Sequence, residues 1–137
     1  MPIARKTIRR AARSLTRTHR HARKSARRGV PSTALLTAPV EVRNALRRGL
    51  TLFEGGYGGK GLRPETVKWA RLLAEGEPIT REKAVKMRAW FARHTAAKAE
   101  NAARKRDVAS PANVAYLLWG GTPAIAWSRR VVRAFGK

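Results

Sequence analysis

The chain has 137 residues, no cysteine, 31 Lys and Arg against 8 Asp and Glu, and a net charge of +23 with 43% hydrophobic residues. That length suits one compact domain with an appendage, and four tryptophans supply large units for burial. The composition excludes disulfide frameworks, thiol catalysis and Cys-based zinc sites, and no run of about 18 apolar residues is present to span a membrane.

Residues 1–29 hold eleven of the basic residues and no acid. Wound at about 100° per residue, Arg5, Lys6, Arg9, Arg10, Arg13, Arg17, Arg20, Arg23, Lys24, Arg27 and Arg28 fall within an arc of roughly 140°. Ile8, Ala11, Ala12, Leu15, Ala22 and Ala26 occupy the opposite side. The stretch is expected to be a basic amphipathic helix about 35 to 40 Å long, at about 1.5 Å per residue. Its self-repulsion calls for an anionic partner. A membrane-surface helix presents Trp, Phe and several Leu on its apolar side, and this one is mostly alanine, so no membrane partner is expected. An organellar transit peptide is also Arg-rich and acid-poor, but here the charge continues. The remainder holds 20 basic against 8 acidic residues. A chain basic throughout points to nucleic acid, with DNA ahead of RNA. An acidic groove on a protein is the alternative partner.

Gly29, Val30 and Pro31 end the arm, because proline lacks an amide donor and disfavours helix in the residue before it. Residues 30–39 form a connector in which Ala34, Leu35 and Leu36 can pin the chain to the body, residues 40–137. In the body Val42, Leu46, Leu50 and Phe53 make a helical stripe closed by Glu54. Five glycines in residues 55–61 make a loop; Gly59-Lys60 is followed by Gly61 and not Ser or Thr, so it lacks the nucleotide-binding phosphate-loop pattern. The loop reads as a tight connection with a packed Tyr57, and alternatively as backbone that touches phosphates.

Pro64 opens a helix that stops at Gly76, and Thr80 caps the next. Ala84, Met87, Trp90, Phe91 and His94 read as its buried face, with Arg81, Lys83, Lys86, Arg88 and Arg93 on the rest. The alanine-rich stretch 95–106 has high helix propensity and little to bury, so it is expected to project or fray, carrying Arg104, Lys105 and Arg106 toward nucleic acid. Ser110-Pro111 starts a further helix, ended by Gly120-Gly121, and Thr122-Pro123 starts the last, with Trp127, Val131 and Phe135 every four residues. No segment alternates polar and apolar, so the expected fold is all-α, a compact cluster of about five short helices behind the basic arm.

Catalysis needs groups to move protons, attack or hold a metal. The eight acids are scattered singly, and His94 has no neighbours at ligand spacing. No catalytic residue, metal or other cofactor is expected, and the chain reads as a non-enzyme. Trp90, Trp119 and Trp127 match packing positions; Trp69, between Lys68 and Arg71, is the best exposed candidate for stacking on bases.

The run from Lys86 to His94, Lys-Met-Arg-Ala-Trp-Phe-Ala-Arg-His, is followed by Tyr116-Leu117-Leu118-Trp119-Gly120-Gly121 and then Trp127. With Arg48-Gly49-Leu50 and the glycine-rich loop upstream, this order resembles a small domain that recurs in tailed-bacteriophage proteins, over about residues 42 to 131. The resemblance implies a virion or genome-associated setting, in the virion interior or the host cytoplasm, with phage structural proteins as partners and several copies in an assembly. It brings no catalytic residues. The functional expectation is a structural or packaging protein whose arm lies on nucleic-acid phosphates while its body anchors in the assembly. The alternative is an interaction module whose arm docks into an acidic groove of a capsid, portal or host protein.

Overall fold

The computed structural model describes residues 31–136, and all regular structure among them is helical. A one-turn helix, α1 (Thr33–Leu36), precedes α2 (Val40–Glu54), α3 (Pro64–Ala74), α4 (Arg81–His94), α5 (Lys98–Arg106), α6 (Pro111–Leu118) and α7 (Gly121–Ala134). The five expected body helices are present, joined by α1 in the connector and by α5 as a separate element. The basic arm lies outside the described residues.

The caps explain several boundaries. The Thr80 hydroxyl accepts from the Lys83 amide at 3.1 Å and the Ser110 hydroxyl from the Asn113 amide at 3.2 Å, each satisfying a donor that a helix start leaves free. Thr122 does not cap the last helix. Gly120, at φ 113°, takes that place, and Thr122 sits in the first turn with its hydroxyl 2.8 Å from that of Tyr116.

α2 packs on α3, α6 and α7, and α7 packs along α4. Val42 and Leu46 from α2, Leu73 from α3, Met87 from α4, Val114 and Leu118 from α6, and Trp127 and Val131 from α7 meet in one core. The connector is fastened to it. Trp127 Nε1 donates to the Leu35 carbonyl at 2.9 Å, and the Ile79 amide donates to the Leu36 carbonyl at 2.8 Å.

At the α2–α6 crossing, a Cβ on Gly49 would lie 2.9 Å from both Leu117 Cβ and the Leu118 amide nitrogen. Gly49→Ala gains helix propensity, about 1 kcal/mol, but must push two backbones apart, and overpacking costs about 1 to 3 kcal/mol. A net loss of about 1 kcal/mol in chemical denaturation is expected. A raised midpoint would mean that the two helices separate freely.

Two other expectations are corrected. Residues 95–106 do not project: the chain breaks between His94 and Lys98, and α5 turns back to pack on α6. Tyr57 is not packed in its loop but 51% exposed.

Candidate functional site

The break after α4 and the return of α5 leave a concavity bounded by the glycine-rich loop, α3, α4, α5 and α6, with a volume of about 770 Å³. Gly58, Gly59 and Gly61 form part of its wall, and a Cβ on Gly59 would come within 3.1 Å of Pro111 at the start of α6. Loop and helix therefore approach closely enough to close that side.

Aromatic rings build another side. Trp90 lies nearly parallel to Trp119, with centroids 5.3 Å apart and planes at 15°, and is also stacked on His94 at 4.2 Å. Phe91 meets Tyr116 edge-on at 5.4 Å. The Trp-Phe-Ala-Arg-His and Leu-Trp-Gly-Gly segments thus pack together, but their two tryptophans are only partly buried and line the cavity. Of the three tryptophans read as packing residues, Trp127 alone is in the core, 1% exposed. Trp69, the exposed candidate, is half-buried against the core.

The charge around the cavity is one-sided. Lys60, Arg63, Lys83, Lys86, Arg93 and Arg104 line it, against Glu65 and Glu100. Glu100 is engaged already, with a carboxylate oxygen 2.8 Å from His94 Nδ1. The Arg104 guanidinium sits over the Tyr116 ring at 3.9 Å, a cation–π geometry.

Lys83 departs most from expectation. It was assigned to the basic, outward side of α4, yet it is only 6% exposed, with Nζ 3.6 Å above the Trp119 ring and 5.9 Å from that of Trp69. It forms no ion pair among the described residues. Burial lowers its pKa from 10.5 to about 8, with Glu65 pulling it back up and Lys86 pushing it further down. The missed signal was positional. Lys83, Met87, Trp90 and His94 stand at intervals of four, three and four, one helical face, and that spacing outweighs lysine's usual preference for the surface.

The remaining predicted contacts are divided. Arg104 reaches the cavity, while Lys105 and Arg106 are exposed on α5 away from its lining. Arg5, Lys6, Arg9, Arg10, Arg13, Arg17, Arg20, Arg23, Lys24, Arg27 and Arg28 lie outside the described residues. His94 was read as a core histidine without a neighbouring acid; it borders the cavity and is bonded to Glu100, which no periodicity connects to it across the helix break. Among the described residues no three His, Asp or Glu side chains converge, and no helix is long and apolar enough to cross a membrane.

No protein-family model matches this chain, and neither curated proteins nor solved structures give a significant match.

Proposed function

We propose that this protein binds nucleic acid through its phosphates, without catalysing a reaction, as a structural or packaging component of a phage-type assembly, with DNA as its polymer. The observation that carries the reading is how few of its cations are neutralised. Among the described residues Arg71, bound to Glu54 at 2.8 Å, is the only Lys or Arg in an ion pair with a carboxylate, and six others line one concave, aromatic-walled surface. The arm adds eleven more in sequence. Arginine predominates there, and its planar fork engages two phosphate oxygens at once. The helical body then serves as the anchor among other assembly proteins.

Titration of the full chain with duplex DNA of arbitrary sequence at several salt concentrations tests this. For Z neutralised phosphates the logarithm of the binding constant falls against log salt with slope about −0.9Z. About 5 to 8 contacts are expected, since only part of the arm's eleven cations can touch a duplex at once. Arg13→Ala, near the middle of the basic arc, should reduce the slope by about one and weaken all sequences alike. Leu15→Ala, opposite, should leave it unchanged. A shallow slope with equal effects from both substitutions would replace nucleic acid with the acidic groove of a capsid, portal or host protein as the arm's partner.

A further inference from the structure

Lys83 poses a problem that the binding of a polymer's outer phosphates does not resolve. A buried ammonium is costly unless it meets an anion, and no carboxylate among the described residues pairs with it. The Trp119 ring offsets part of that cost. Lys83 lines the cavity, so an anion entering there would complete the site. Trp90 and Trp119 border the same space half-buried, already stacked on one another and on His94, while the Arg104 guanidinium, stacked on Tyr116, offers a flat face. At about 770 Å³ the cavity falls within the range of small-molecule sites, about 300 to 1,000 Å³. Negative charge and a flat ring within one small ligand describe a nucleotide.

We infer that this cavity holds one unpaired nucleotide, its phosphate met by Lys83 with Lys86 and Arg93 and its base laid on the Arg104 guanidinium beside Trp90 and Trp119. The inference rests on the nucleic-acid reading above and adds a place where a single residue of the polymer is gripped. Bases within a duplex are paired and stacked, so the occupant is a strand end, an extruded nucleotide or a free one.

Tryptophan fluorescence of the full chain, titrated with thymidine monophosphate, inorganic phosphate, a short oligothymidylate and a duplex, separates these sources. The monophosphate should quench saturably and compete with the oligothymidylate, while inorganic phosphate binds at least tenfold more weakly. Lys83→Met, and independently the double variant Lys86→Ala with Arg93→Ala on exposed positions, should weaken the monophosphate by about tenfold. Arg129→Ala, exposed on α7 and outside the cavity, should not. Duplex binding with a steep salt slope but no response to the monophosphate would overturn the cavity inference and leave the polymer reading standing. Inorganic phosphate binding as tightly as the monophosphate would overturn the role of the rings. Monophosphate binding without any polymer binding would keep the cavity, with a free nucleotide as its ligand, and overturn the polymer reading. Silence from all four ligands would overturn both.

Discussion

Trp127→Ala is expected to lower the stability of the body by about 3 to 5 kcal/mol, the range for truncating a large buried aromatic. Trp127 is 1% exposed, in the same core as Val42, Met87 and Val131, and its indole nitrogen is satisfied by the Leu35 carbonyl at 2.9 Å. Truncation opens a void among helices that cannot all close on it and leaves the carbonyl without its donor. Domains of this size hold about 5 to 15 kcal/mol in total, so the variant should unfold at a much lower denaturant concentration. Trp127→Phe keeps most of the packing and loses the hydrogen bond, and about 1 to 2 kcal/mol should suffice for it. If the alanine variant unfolds within 1 kcal/mol of the parent, α7 does not close the core.

Lys83→Met should act in the opposite direction, raising stability by about 2 kcal/mol at pH 7 while weakening the nucleotide binding inferred above. Lowering the lysine from 10.5 to about 8 is worth roughly 3 kcal/mol against the charged form at ~1.36 kcal/mol per tenfold, and its contact with Trp119 returns part of that. Methionine keeps the length of the stem without the charge. Between about pH 8 and 10.5 the unfolded chain retains a proton on Lys83 that the folded chain has released, so parental stability should rise with pH across that window. The penalty is fully present below pH 8. The methionine variant should lack this rise, apart from what other groups contribute. Denaturant midpoints at pH 7, 9 and 10.5 read both effects, and a methionine variant less stable than the parent at pH 7 would mean that the ammonium stabilises the fold. A stability gain coupled to a binding loss is the exchange expected of a residue kept for function.

The helices were legible because their signals are local. Stripes such as Val42, Leu46 and Leu50, and caps such as Thr80 and Ser110, act within a few residues of themselves. The site was less so. Trp90, Trp119 and His94 were visible as aromatic positions on helical faces, but that two rings would flank a cavity and not fill a core depends on where α5 turns, and an alanine-rich run such as residues 95–106 carries no apolar stripe to announce that turn. Lys83 was on the inward face by spacing and on the outward face by chemistry. Spacing prevailed, because a lysine stem is apolar enough to be buried beside an indole ring that accepts its charged tip. Thr122 was misassigned for a related reason. Two glycines before it let the chain enter the helix two residues earlier, which left its hydroxyl free for Tyr116.

The bond from Trp127 to Leu35 joins positions 92 residues apart. On a translating ribosome, at about 5 to 20 residues per second, α1 is made roughly 5 to 20 s before the indole that holds it. Through that interval the nascent body lacks its central ring, and the stripes of α2 and α4 have no α7 to cover them. Quality control would therefore act at one late checkpoint. A product cut short before Trp127 lacks the ring that closes the core and should be cleared by proteases faster than the whole chain.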